Sequence, residues 1–142
     1  YLDPLYKDFT SGLRTTENFG TEPFDRTGTR PAGIHSLSLS TAVTYSFSLD
    51  NGSSGYVRAD YLYERNAKLS DSFPQLNRQV NTVNAAAGLL MQGGWAAQLW
   101  VRNLNNDEFL AGGFSGVAQR GTVNSWPNEP RTFGLSVSYS MD

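Results

Sequence analysis

Cysteine is absent from this 142-residue chain, which excludes disulfides and thiolate metal sites. A run of about 18 apolar residues, the minimum for a spanning helix, is absent too. With 39% hydrophobic residues and a mean hydropathy below zero, a helical membrane protein is excluded. Positive charge is not in excess. Eleven Lys and Arg against thirteen Asp and Glu leave a net charge of −2 and a pI near 5.3, which argues against nucleic acid as a partner. No segment with a helical period stands out. The opening Tyr1-Leu2-Asp3-Pro4 carries no basic segment, apolar core or cleavage site. Either a leader was removed or Tyr1 is not a native start.

What is present is a period of two. Ser36 to Leu49 alternates with almost no break over fourteen residues. One face carries Leu37, Leu39, Thr41, Val43, Tyr45, Phe47 and Leu49, and the other carries small residues, mostly serine. Successive side chains of a pleated backbone point to opposite faces, so the pattern predicts a strand. At roughly 3.3 Å per residue it would span about 45 Å, against ~17–20 Å for common strands. Tilted by about 40° it still covers ~35 Å, enough to cross an apolar band roughly 25 Å tall. Its polar face has no Lys or Glu, unlike a solvent-facing sheet. The stretch reads as a transmembrane β-barrel strand.

Six strands are expected: Leu2 to Phe9, Ser36 to Leu49, Tyr56 to Arg65, Val80 to Met91, Trp95 to Leu104 and Thr132 to Met141. Pro4 weakens the first or places it at an edge. Short turns at 50–55 and at Gln92-Gly93-Gly94 alternate with long polar segments at 10–34, 66–78 and 105–131. Short turns on one side and long loops on the other are the outer-membrane pattern. The fold class predicted is all-β, an antiparallel transmembrane β-barrel segment spanning residues 1–142. Six strands fall short of the smallest single-chain barrels, of about eight, and an open sheet edge is not tolerated in lipid. The readings, in order, are a piece of a larger barrel, self-assembly, or two strands hidden in the long loops.

The segment Leu99-Trp100-Val101-Arg102-Asn103-Leu104-Asn105-Asn106-Asp107-Glu108-Phe109 resembles the penultimate-strand signature of TonB-dependent outer-membrane receptors. In that signature an aliphatic strand runs into an Asn-Leu pair, an acidic turn and an aromatic residue. Glu129-Pro130-Arg131-Thr132-Phe133-Gly134-Leu135, with the alternating run to Ser140, resembles the family's final strand. Tyr6-Lys7-Asp8-Phe9 and Gly55-Tyr56-Val57-Arg58-Ala59-Asp60 are similar to pieces of its last third. The resemblance implies the last six strands of a barrel of twenty-two strands whose lumen holds a plug. It also implies an N-terminal segment that engages TonB. Plug, TonB-binding segment and earlier strands are not visible here, so these residues alone are not expected to transport. Family members commonly finish on an aromatic residue; this sequence finishes Tyr139-Ser140-Met141-Asp142.

Candidate functional residues fall in three groups. Arg58, Asp60, Glu64 and Arg102 lie on polar faces and are expected to point to the lumen, pairing with one another or with a plug. Tyr56, Tyr63, Trp95, Phe133 and Tyr139 sit near strand ends and suit interfacial girdles. Ligand contact is expected from the long loops, where Arg30, Phe114, Arg120 and Trp126 are the candidates, beside Phe24, Arg26 and Phe109. Aromatic and Arg side chains there could hold a sugar or an anionic metal chelate. Asn105-Asn106-Asp107-Glu108 lacks the spacing and glycine of a calcium loop and reads as turn chemistry. Asn51-Gly52-Ser53 matches a glycosylation pattern and reads as a turn.

The expected function is energised uptake of a scarce solute: a siderophore, cobalamin or an oligosaccharide. The expected place is the outer membrane of a Gram-negative bacterium. Expected partners are outer-membrane lipid, the remaining barrel and plug, TonB through the missing N-terminal part, and an unidentified small ligand. No cofactor, metal or enzymatic activity is expected. Two alternatives are weighed. A small barrel enzyme acting on lipid could use His35 with Ser36 or Ser38, but Gly-x-Ser-x-Gly is absent and no third group orients the base. A soluble lipocalin-like module could turn the apolar faces inward, but serine-only faces, strands over ten residues and long loops on one side disfavour it.

Overall fold

The computed structural model describes residues 1–15, 20–73, 75–116 and 122–141. It contains β1 (Gly12–Thr15), β2 (Thr21–Phe24), β3 (Ser38–Ser48), β4 (Ser54–Lys68), β5 (Asn77–Leu90), β6 (Trp95–Arg102), β7 (Leu110–Ser115), β8 (Val123–Pro127) and β9 (Thr132–Tyr139). No described residue is helical. One five-stranded sheet runs β3-β4-β5-β6-β9, and β1-β2 and β7-β8 form separate two-stranded sheets. The pairs β1·β2, β5·β6, β6·β9 and β7·β8 are antiparallel. The all-β antiparallel expectation is met. The five-stranded sheet is open, with β3 and β9 as its edges.

Five of the six expected strands form, and two grow. β4 has 15 residues and β5 has 14, each reaching about 50 Å at ~3.3 Å per residue. The extensions run through Asn66-Ala67-Lys68 and Asn77-Arg78-Gln79, residue types with little strand preference. Tertiary hydrogen bonds hold the β4 extension instead. The Lys68 carbonyl accepts the Gly33 N–H at 2.8 Å, and the Leu69 N–H just beyond donates to the Leu76 carbonyl at 2.7 Å.

Leu2 to Phe9 is not a strand, a correction to the sequence reading. Pro4 has no N–H to give a ladder. The segment makes scattered bonds instead: Leu2 N–H to Ser36 O at 2.9 Å, Tyr6 N–H to Thr29 O at 3.0 Å, and Gly28 N–H to Tyr6 O at 2.7 Å. The long segments also differ from expectation. Those at 10–34 and 105–131 each fold a hairpin, β1-β2 and β7-β8, and neither joins the large sheet.

The chain divides into two units. One comprises Tyr1–Ser38, Glu64–Val80 and Glu108–Asn128, and here the buried apolar side chains Ala67, Leu76 and Val80 gather. The other comprises Leu39–Tyr63, Asn81–Asp107 and Glu129–Asp142. It is the body of the five-stranded sheet, and none of its described large apolar side chains is buried.

Register in the sheet unit produces two distinct faces. Ala85, Val101 and Phe133 form one row; Ala87, Leu99 and Leu135 the next; Leu89, Ala97 and Val137 a third. Because the side-chain period is two, the rows between them turn to the opposite face: Ala86, Trp100 and Gly134, then Gly88, Gln98 and Ser136. The turns are built as their composition requires. Gly93 and Gly94 both adopt φ near +80°, and Gly52 adopts +75°, where a side chain would be strained.

Candidate functional site

The sheet unit offers an uncovered apolar face. Phe133 is 83% exposed, Leu135 64%, Leu99 62% and Val43 68%. A shallow concavity of about 550 Å³ runs along this face, lined by Val57, Ala87, Leu99, Val101, Phe133 and Leu135 among others. Aromatics lie at both ends of it, Phe133 opposite Val101 at one end and two pairs at the short-turn end. Tyr45 and Phe47 stack with centroids 6.1 Å apart near the β3–β4 turn, and Trp95 meets Tyr139 at 4.9 Å beside the β5–β6 turn.

The opposite face is polar and filled by rings lying over glycines. The Trp100 indole lies over Gly134, and its Nε1–H donates to Ser136 Oγ at 3.3 Å. The Tyr56 ring covers Gly88 in the same way, so Tyr56 belongs to this face and not to an interfacial girdle. Arg58 holds the Asp60 carboxylate through Nε at 3.0 and 3.1 Å and through Nη2 at 2.5 Å. The Arg102 guanidinium lies 5.3 Å from the Trp100 ring centroid. The expected charge pairing on this face therefore occurs for Arg58 and Asp60.

The Asn-Leu motif is a lashing between strand ends. Asn103, buried and at φ 51°, donates from Nδ2 to the carbonyls of Asp107 at 2.9 Å and Glu129 at 3.1 Å. Its Oδ1 accepts the Asp107 N–H at 2.7 Å, and its own N–H donates to Asn84 Oδ1 at 2.9 Å. Asn105 straddles β5, accepting the Val83 N–H at 3.0 Å and donating to the Asn81 carbonyl at 2.5 Å. Asp107 accepts the Asn81 N–H at 2.7 Å, and Asn106 the Arg131 N–H at 3.2 Å. Amide side chains here replace the ladder bonds that β5, β6 and β9 lose at their ends. The side chains of Asn105, Asn106 and Asp107 are thus spent on backbone groups of neighbouring segments, as turn chemistry requires.

The other unit holds the remaining candidates. Arg26 is buried, ion-paired with Asp71, and donates from Nη2 to the Leu13 carbonyl at 2.5 Å. It is a structural tie. Phe114 and Trp126 face each other across β7-β8 with centroids 6.1 Å apart, both half exposed, and the Trp126 ring covers Gly112. Arg30 pairs with Asp3 at 2.5 Å and lines a separate cavity. Arg120 lies outside the described residues.

His35 and Glu64 meet in this unit too. His35 Nδ1 lies 2.6 Å from the Arg65 carbonyl, which fits an Nδ1–H donor. That leaves Nε2 between Arg78 Nη2 at 3.1 Å and Glu64 Oε2 at 3.2 Å, while Arg78 donates to the same Glu64 oxygen at 3.0 Å. Glu64 is thus tied to this cluster. Ser36 Oγ is buried without a hydrogen-bond partner among the described residues. The serine–histidine hydrogen bond that nucleophilic catalysis needs is not formed. Sequence reasoning singled out His35 and Glu64 separately; Arg78, 43 residues beyond His35, carried no local signal.

No family model matches the chain, nor does any curated protein or solved structure.

Proposed function

We propose that this chain is wall and external loops of an outer-membrane β-barrel, the C-terminal part of a TonB-dependent receptor for energised uptake of a scarce solute. The observation that carries the membrane reading is the uncovered apolar face of the sheet unit. Soluble monomers rarely expose contiguous apolar patches beyond a few hundred Å². In lipid the same face is matched to its solvent. Aromatics at the two ends of the apolar face suit interfacial girdles, and hydroxyls and small residues on the other face suit a crowded lumen. The free edges β3 and β9 would be paired by further strands, since hydrocarbon satisfies no backbone N–H or carbonyl.

The receptor assignment rests on the resemblance of the Leu99–Phe109 and Glu129–Ser140 motifs. In this reading substrate binds outside, TonB acts on a plug carried elsewhere, and the wall stays largely rigid. The segment performs no chemistry. Siderophore, cobalamin and oligosaccharide are the solute classes considered.

An antibody against this segment, used on fractionated cells, tests the proposal. The expected result is an outer-membrane band several times larger than 15.6 kDa. A stable membrane band near that mass would overturn the receptor assignment in favour of a self-assembling small barrel. A soluble band would overturn the membrane reading itself.

A further inference from the structure

The two outer strands of the five-stranded sheet lack the protection that free edges carry. Neither β3 nor β9 contains Lys, Arg, Asp, Glu or Pro, and β9 runs along β6 from Thr132 to Tyr139 without a bulge. Sheets whose edges stay free blunt them with such residues or with bulges. Here the charges sit on inner strands, with Arg58, Asp60 and Glu64 on β4 and Arg102 on β6. Along each outer strand, every second residue turns its N–H and carbonyl away from the sheet, and no described strand meets them. Both edges are of the kind that another strand pairs.

Strand direction specifies what can pair them. Neighbours joined by a few residues are antiparallel, because a parallel connection needs a crossover of about a dozen or more. Residues 49–53 join β3 to β4, with the Leu49 N–H on the Ser53 carbonyl at 2.9 Å. Residues 69–76 join β4 to β5, with the Leu69 N–H on the Leu76 carbonyl at 2.7 Å. The pairs β5·β6 and β6·β9 are antiparallel by register. Direction therefore alternates across all five strands, and the first and last point the same way. Both run toward the short turns. β3 enters residues 49–53, and Ser140, just past β9, donates its N–H to the Gly94 carbonyl at 2.9 Å in the β5–β6 turn.

We propose that an odd number of further strands, supplied from outside residues 1–142, joins β9 to β3, and that its two outermost strands both run from the short-turn end to the loop end. An antiparallel membrane barrel closes on an even number of strands, so five leave an odd remainder. The β1-β2 and β7-β8 hairpins do not supply it, since each is a separate sheet of two strands. Copies of this chain do not supply it either. A head-to-tail ring with every copy in one orientation sets β9 beside the next copy's β3 in parallel. Pairing β9 with β9, or β3 with β3, restores antiparallel bonds but inverts one copy, carrying its long connections to the opposite side of the bilayer. The partner is therefore a different run of amphipathic strands, apolar on the face continuous with Val43 and Phe133 and polar on the other. The pairing rests on the membrane reading and not on the receptor assignment, and it separates a piece of a larger barrel from self-assembly.

Photo-cross-linking in whole cells that make the native polypeptide tests it. The photoreactive residue p-benzoylphenylalanine is placed at Leu39 or Tyr45 on β3, or at Phe133 or Tyr139 on β9, all of them exposed. Cells are irradiated and fractionated, and cross-linked peptides are sequenced by mass spectrometry. Leu99, flanked by Ala87 and Leu135, is the positive control. Adducts to peptides outside residues 1–142 are expected, in reverse order along the partner. Tyr45 should reach an earlier residue of its partner strand than Leu39 does, and Tyr139 an earlier one than Phe133. An adduct of unchanged mass on a denaturing gel assigns the strands to the same polypeptide; added mass assigns them to a second chain. Three results would each overturn the proposal for a protein found in the outer membrane. These are adducts joining β3 to β9, β3 to β3 or β9 to β9; a partner strand read in the same order as β3 or β9; and adducts confined to the chain's own sheet and lipid while Leu99 cross-links. Recovery from the soluble fraction alone would overturn the membrane reading and the proposal with it. Recovery of each variant from the outer membrane at the parent's level establishes that it assembles, and either position on a strand suffices to identify its partner.

Discussion

The indole of Trp100 on β6 occupies the space above Gly134 on β9, and a Cβ built at Gly134 would lie 2.8 Å from indole Cε2. The two residues are directly opposed in the ladder. A ring covering a strand glycine restores packing that the missing side chain forfeits and fixes the ring over one register.

Gly134→Val should therefore destabilise the fold by about 1–3 kcal/mol, the usual cost of overpacking. Urea unfolding in detergent, followed by tryptophan fluorescence, measures it. In a Trp100→Ala background the same substitution should cost less, because the clash is gone. Equal costs in both backgrounds would show that the indole does not occupy this position.

Asn103→Ala removes the amide that serves Asp107 and Glu129. A loss of about 2–4 kcal/mol is expected from the backbone groups left unpaired. Asn103→Gly relieves the positive φ yet lacks the amide, so it should recover only part. Full recovery by glycine would mean that backbone conformation, and not the lashing, is what asparagine supplies.

Trp95 lies on the apolar face and Trp100 on the polar one. In bilayers of brominated lipid, Trp95 emission should be quenched and Trp100 emission spared, read in variants that retain one tryptophan. Leu99→Lys should weaken bilayer insertion by about 2–4 kcal/mol if that residue lies near mid-depth, whereas Gln98→Lys should be tolerated. Quenching of Trp100 in place of Trp95 would reverse the assignment of the faces.

His35→Ala should leave any lipid hydrolysis by the protein unchanged, since Nε2 is engaged by Arg78 and Glu64. Abolished turnover would sink the non-enzymatic reading.

Asp25, in the turn after β2, is held below the ordinary carboxylate range by hydrogen bonds from the backbone and side chain of Thr27. A carboxyl depressed in the folded state contributes stability that is present above its unfolded pKa and lost as pH falls through the lower folded value. The carboxyl carbon of Asp25 should titrate below free aspartate by NMR, and Thr27→Ala should raise its midpoint. An unchanged midpoint in that variant would remove the hydrogen bonds as the cause.

Much of the sheet was legible because its signals are local. Alternation along Ser38–Ser48 and Thr132–Tyr139 is a property of a pleated backbone, so which residues share a face follows from counting by two. The Gly93-Gly94 turn was equally readable, since only glycine enters positive φ twice in succession without strain. These residue types determined strand class, facial sorting and the short turns.

Tertiary structure decided what depends on partners distant in sequence. The β7-β8 hairpin folds as a separate sheet between β6 and β9, where the sequence reads as a long polar loop. Asn66-Ala67-Lys68 and Asn77-Arg78-Gln79 become strand although their propensities oppose it. The β4 stretch is held by the Gly33 N–H on the Lys68 carbonyl, and in the β5 stretch Arg78 bonds Glu64 and His35. Leu2 to Phe9 loses its strand for the converse reason: its backbone donors find isolated carbonyls at 29 and 36 instead of a ladder. Asn103, Arg26 and Arg30 show the same division at the level of side chains. The sequence reads Asn103 as the end of a strand and Arg26 and Arg30 as loop residues, whereas the segments around each determine whether it becomes a lashing, a buried tie or a surface ion pair. A period along the chain is set by bond geometry. A hydrogen-bond partner is set by which segments meet in space.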